Sequence, residues 1–170
     1  MVDDVAPDQF LAGVPLFAEA LSAEQLAFLA QQSRPAFFLA NTRLMSQGSL
    51  GGSMYVIVTG EVGVSFVDEN GREQPVATLG PREVVGEMSL FTGDRRTATV
   101  VAATKVHAIE ITKWSLERVF AKAPELVDTF AEMLARRQAE LNALSGSAAA
   151  GARDAFVGQA RKVFADLFGR

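Results

Sequence analysis

The segment Gly86 to Val100, GEMSLFTGDRRTATV, gathers the residues of this chain that can do chemistry on a ligand. Glu87 and Arg96 stand nine positions apart, separated by what reads as one short helical turn and a Gly-Asp turn. That spacing suits a cyclic sugar phosphate. Gly86 lets the backbone approach a ligand closely, and the amides of a helix beginning at Glu87 or Met88 form an anion site. Arg96 opens the β-branched stretch Thr97 to Val101 and offers its guanidinium fork to the same anion. A carboxylate beside a phosphate is repelled unless it faces a donor, and for Glu87 a ribose hydroxyl is such a donor. Taken alone, the segment also reads as a turn, a helix start and a solvated arginine pair before a strand. The elements around it decide between the two.

Those elements change period along the chain. Ser22 followed three residues later by Gln25 is a capping box, and Leu26, Leu29 and Ala30 recur at helical spacing. This spacing predicts a first helix that ends near Ser33 and Arg34, before Pro35. From there the sequence predicts short strands: Phe37 to Leu39, Arg43 to Ser46, Met54 to Val58, Glu61 to Val67, Gln74 to Leu79, Thr97 to Ala102 and Lys105 to Ile111. Gly60 reads as a tight hairpin between two of them. Asp68-Glu69-Asn70-Gly71 supplies a second hairpin, Asn-Gly being its strongest short-range signal. Short strands at near-regular spacing between helical ends predict an α+β chain built on an antiparallel β jelly roll, with an N-terminal helical segment and C-terminal helices. A jelly roll also serves metal enzymes that use clustered histidines. With His107 its one histidine and no cysteine, the chain lacks the donors for such a site, and no metal is expected.

On these residues the segment resembles the phosphate-binding cassette of cyclic nucleotide-binding domains, roughly G-E-x-[AS]-L, a short linker, then R-x-A-[TS]-V. The phrase YVIVTGEVGV, Tyr55 to Val64, is similar to the central hairpin of that family, and the order of elements from about Val14 to Leu141 is similar as well. The resemblance implies that Arg96 takes the cyclic phosphate together with the amides of Met88 and Ser89 after Gly86, and that Glu87 takes the ribose 2′-hydroxyl. Arg95, one residue short of the family spacing, is expected to be solvated. Thr97 permits a bond to a syn guanine without excluding adenine, and cyclic AMP is the favoured ligand with cyclic GMP as the alternative. Two departures stand out. Asn41 occupies a position where relatives commonly carry Gly, and Asn tolerates a left-handed backbone. Gly48-Ser49-Leu50-Gly51-Gly52 replaces an Asp-rich loop before the central hairpin, which removes acids and adds flexibility.

Past the roll, Thr112 caps a helix through Trp114, Leu116, Val119 and Phe120, and Pro124 opens another in its first turn. Leu126, Phe130, Met133, Leu134, Leu141 and Leu144 form an apolar stripe on that second helix, with the mouth of the roll and a second copy of the chain as its candidate partners. In channel-type members of the family a residue of this helix folds over the base. By position that residue is Arg137, beside Arg136, although an arginine pair is most often the wet face of a helix. The expected division is residues 1–144 as the binding domain and residues 145–170 as a small-residue hinge, SGSAAAGA, with an amphipathic helix carrying Phe156, Val157, Val163, Phe164 and Leu167.

The net charge of −4 suggests no nucleic-acid surface, and the absence of cysteine agrees with a reducing cytoplasm. The opening MVDDVAPDQF lacks the basic flank and apolar core of a secretory signal, and no stretch is apolar enough to span a membrane. The tail and the opening LAGVPLFAEALSAEQLAFLA are similar to the C-terminal regulatory domains of bacterial cyclic nucleotide-gated channels, including mechanosensitive-type ones. A non-catalytic sensor that moves its last helices to regulate an effector, such as a channel pore, is therefore the expected function. A ligand-silent interaction or oligomerisation module with the same fold is the alternative. An enzyme is not expected, because no nucleophile has a base beside it in the sequence.

Overall fold

A computed structural model describes residues 6–144, leaving out the side chains at positions 88, 91, 92 and 137–144. Three short helices come first: α1 (Pro7–Ala12), α2 (Pro15–Ala18) and α3 (Ala23–Gln31). Pro7 and Pro15 each fit the first turn, where the missing N–H has no intrahelical acceptor to lose. The capping box of α3 forms in full. Gln25 N–H donates to Ser22 Oγ at 3.2 Å and Ser22 N–H to Gln25 Oε1 at 2.9 Å. The helix stops at Gln31 and Arg34 already belongs to β1 (Arg34–Phe38), so the expected boundary was late and the strand starts three residues early. Pro35 did not block it because β1 lies at the edge of its sheet, where a lost donor leaves a neighbouring ladder intact.

The remaining strands are β2 (Arg43–Met45), β3 (Ser53–Thr59), β4 (Val62–Val67), β5 (Glu73–Leu79), β6 (Val84–Val85), β7 (Thr99–Ala102) and β8 (Val106–Thr112). They form two four-stranded sheets, β1-β8-β3-β6 and β2-β7-β4-β5, with every pairing antiparallel. This is the expected jelly roll. Between β6 and β7 lies α4 (Glu87–Thr92), and α5 (Lys113–Lys122) and α6 (Leu126–Leu144) follow the roll. Thr112 caps α5 as expected, accepting from Ser115 N–H at 3.1 Å. Asn41 is left-handed, with φ 68°.

Of the two expected hairpins, one is correct. Asp68 to Gly71 joins the paired strands β4 and β5, with Gly71 at φ 77° and Asp68 Oδ1 accepting from Asn70 and Arg72 N–H. Gly60 does turn the chain tightly, at φ 90°, but β3 and β4 pair with different neighbours in different sheets. The turn is a corner between layers. Its backbone lies so close to the Lys105 carbonyl that a side chain at position 60 has no room.

Strand alternation splits the core in two. Met54, Val56, Val58, Ile109 and Ile111 face the helices and join Leu11, Phe17, Leu29, Phe120, Phe130 and Leu134. Ile57, Val85 and Ala108 face the opposite sheet and join Met45, Val62, Val100 and Ala102, with Tyr55 and Val64 packed against them. On the helical side the rings of Phe17 and Phe120 lie 6.1 and 5.4 Å from Phe130. The stripe of α6, as far as Leu134, is thus buried on the chain's own helices, so this first part is taken up by neither candidate partner named above. An amphipathic face takes the first apolar surface within reach, here the one built by α1 to α3 and α5. The side chains of Leu141 and Leu144, and the whole of residues 145–170, lie outside the described residues.

Candidate functional site

The cassette is folded around Arg96. Gly86 precedes α4 with φ 85° and Gly93 follows it with φ 75°, so two left-handed glycines bound the short helix. Arg96 crosses beneath it. Its main chain is tied to the loop before β3, donating N–H to Ser49 O at 2.8 Å and accepting from Gly48 N–H at 2.7 Å. Because the backbone bonds of Arg96 go to this loop rather than to a strand, β7 begins at Thr99 and not at the expected Thr97.

The Arg96 side chain is only 7% exposed. Its Nη1 donates to Gly86 O at 2.8 Å and its Nη2 to Ser53 O at 2.6 Å. A guanidinium carries five N–H donors, so these two bonds leave three for an anion. Burial lowers its pKa, opposed by the influence of Tyr55 and of Glu87, although a guanidinium stays charged throughout the ordinary range. Two glycines make the room for it. A Cβ at position 51 would strike its Nε and Cζ, and one at position 86 would meet its Nη1, the Met45 side chain and the Ser53 carbonyl. The loop Gly48 to Gly52 is therefore not simply a flexible replacement for an acidic one. It is the wall of the arginine slot.

Gly86, Glu87, Ser89, Arg96 and Thr97 all line one cavity of about 150 Å³ between the sheets, closed on its apolar side by Val64, Leu79 and Val100 among others. Glu87 and Ser89 are each 5% exposed, and Thr97 is exposed at the rim. A buried carboxylate, a buried guanidinium and a helix start thus converge on one space, which equips it for a ligand that is anionic at one point and a hydroxyl donor at another. The main chain of Met88 lies in α4, while its side chain and that of Arg137 lie outside the described residues. Arg95 is exposed as expected, but its Nη1 donates to Gly48 O at 3.0 Å and so joins the same loop. Arg136, exposed, meets Glu19 at 3.9 Å.

A larger cavity, about 400 Å³, opens on the other face of the first sheet among Pro7, Phe10, Phe37, His107 and Ile109. It is the lesser candidate, because its charged wall residue Arg34 is already engaged by Glu110 at 2.5 Å. His107 stacks on Phe37 there, rings 4.5 Å apart. Among the described residues no group of three or more His, Cys, Asp or Glu could hold a metal ion.

Sequence reasoning passed over Gly51, Ser53 and Glu110. Glu110 had a signal: in Val106 to Thr112 the even-numbered residues face the interior between the sheets, and an acid at such a position needs a partner.

A roll of two antiparallel sheets with a charged cavity at one mouth and helices at its flank defines a ligand-binding β-roll module. Residues 35–123, just over half of the chain, match the cyclic nucleotide-binding domain, and the chain belongs to that family. It is 28% identical over 135 residues to the CRP-like cAMP-activated global transcriptional regulator of Mycobacterium tuberculosis, covering 79% of this chain and 60% of the regulator. With the cyclic nucleotide-gated potassium channel of Rhizobium etli it shares 32% identity over 130 residues, 76% of this chain and 35% of the channel. The N-terminal domain of a transcriptional regulator from Streptomyces coelicolor superposes with a TM-score of 0.66 at 32% identity, covering 80% of this chain and 94% of that one. The chain thus spans three-fifths or less of the two full-length relatives. Among the described residues no helix is long and apolar enough to cross a membrane.

Proposed function

We propose that the chain is a non-catalytic sensor whose cavity between the sheets takes a cyclic nucleotide. Arg96 and the amides of Met88 and Ser89 hold the cyclic phosphate, and Glu87 accepts from the ribose 2′-hydroxyl. The observation that carries this reading is the burial of Arg96 and Glu87 in the wall of one cavity, with the guanidinium keeping donors in reserve. The cavity is smaller than the roughly 300 Å³ at which small-molecule sites begin, so part of the nucleotide lies beyond it, past Thr97 at the rim. Cyclic AMP is the favoured ligand, with cyclic GMP as the alternative. The likeness to a cAMP-activated regulator supports that choice.

Binding drives the switch to the extent that the ligand prefers the state in which the last helices cover it. In the present arrangement the first half of α6 is packed on α2 and α5 through Phe130, and no described side chain of α6 lines the cavity. Arg137 is the proposed residue over the base. The effector is proposed to be an ion channel, a reading supported by the likeness to the potassium channel. Calorimetric titration with cyclic AMP and cyclic GMP tests the sensor against the ligand-silent module with the same fold: heat of binding supports the sensor, and its absence with both nucleotides favours the silent module. Arg96→Ala is expected to weaken binding by about 2 to 5 kcal/mol, since it strips the phosphate of its charged partner. Unchanged affinity in that variant refutes the assignment.

A further inference from the structure

A row of polar side chains crosses the first sheet on its inner face and ends on the anion-binding arginine. Arg34 of β1, Glu110 of β8 and Tyr55 of β3 are register partners across three adjacent strands, and Ser53, two residues before Tyr55, lies on the same face. Arg34 Nε donates to Glu110 Oε2 at 2.5 Å, and Ser53 Oγ donates to Glu110 Oε1 at 2.7 Å. The Ser53 carbonyl then accepts from Arg96 Nη2 at 2.6 Å. Both oxygens of Glu110 are thereby engaged, one on each side. Its side chain is 12% exposed, so either bond, once broken, leaves a poorly hydrated carboxylate oxygen.

Ser53 is the first residue of β3 and follows the two glycines of the loop, and the peptide before it is held by Lys113 N–H, which donates to Gly52 O at 2.9 Å. Its hydroxyl, tied to a carboxylate that a cross-strand arginine already orients, adds a second constraint from the sheet side. The carbonyl one end of the residue away then meets the guanidinium at a set height in the slot between Gly51 and Gly86. We propose that Glu110 is a positioning residue for Arg96, acting through Ser53, with Arg34 on the edge strand as the anchor that orients it. This rests on the reading of Arg96 as the phosphate arginine. It adds a device by which a shift of the edge strand alters affinity in a cavity two strands away.

The test uses the whole chain with cyclic AMP and cyclic GMP as probes, and the guanidinium NMR signals of Arg96 in the ligand-free protein as a second readout. Glu110→Ala and Ser53→Ala should each weaken binding about three- to tenfold, the net worth of the one Ser53–Glu110 hydrogen bond that both remove. Glu110→Gln, which still accepts from Ser53, should recover much of that loss. In the ligand-free protein the Arg96 signals should exchange faster with water in both alanine variants. If Glu110→Ala does not fold, Ser53→Ala and Glu110→Gln decide. Wild-type affinity together with unchanged Arg96 signals in the substituted protein overturns the proposal, as does a loss that Glu110→Gln fails to recover. A wild-type chain that binds neither nucleotide sinks the functional reading alone, and the Arg96 signals still decide the positioning role.

Discussion

The two sheets have the same number of strands and opposite surroundings. The first is covered on both faces, by helices outside and by the other sheet inside, and β3 at its centre has no exposed residue. The second is covered on one face, and β5 at its edge is mostly exposed, with Val76 at 51%. The charged groups follow that difference. Ser53, whose carbonyl accepts from Arg96, and Glu110, which accepts from the Ser53 hydroxyl, stand on the doubly covered sheet, whereas the second sheet closes the cavity with Val64, Leu79 and Val100. A site that must hold a guanidinium at a fixed height is served by the stiff wall, and one that must admit a ligand is served by the thin one.

The contrast is most directly broken at Ile57 and Val76. Ile57→Ala empties a fully buried position in the first sheet and should lower stability by about 2 to 5 kcal/mol, while Val76→Ala should stay within about 0.5 kcal/mol. Urea unfolding checks both, and equal losses would erase the distinction between the walls. Next in size is Gly51→Ala. Its new Cβ collides with the buried Arg96 guanidinium, which must leave the Gly86 and Ser53 carbonyls to make room. Affinity for cyclic nucleotide is expected to fall at least tenfold and stability by about 1 to 3 kcal/mol, as titration and thermal unfolding would show.

Glu110 gives a pH signature to the stiff wall. The bond from Arg34 holds its pKa below the ordinary carboxylate value, burial opposes this, and the bond from Ser53 adds to it. Because the folded value is the lower one, the unfolded chain takes up the proton first as pH falls. The resulting stability is full above the ordinary carboxylate pKa and is lost as pH drops through the folded value. Glu110→Gln should flatten that part of the acid unfolding curve, and an unaltered curve would remove the Arg34–Glu110 pair from the account. The smallest effect belongs to Arg95→Ala. Its bond to Gly48 is exposed, and the variant should bind cyclic nucleotide within about threefold of the parent, by the same titration.

The cassette was legible because its chemistry is local: Gly86, Glu87, Ser89, Arg96 and Thr97 reach one cavity through a single short helix and the loop that follows it. Capping at Ser22 and Thr112 and the turn at Asp68 to Gly71 were legible for the same reason. What escaped was relational. The pattern around Gly60 announces a tight turn but not which sheet the next strand joins, since hairpins and corners use the same glycine. Gly51 looked like slack in a loop, and only the guanidinium folded against it gives it a purpose. The stripe of α6 was visible, but its partner depended on Phe17 and Phe120, remote in sequence.

Each border of the two sheets is unsuited to recruit another strand. β6 has two residues and β2 has three, while β1 carries Pro35 and β5 carries Pro75 in place of a hydrogen-bond donor. Crowded copies of this roll therefore meet without offering one another a template for cross-β growth, and the protein should stay clear of fibril formation at concentrations where an unblunted sandwich would begin to seed.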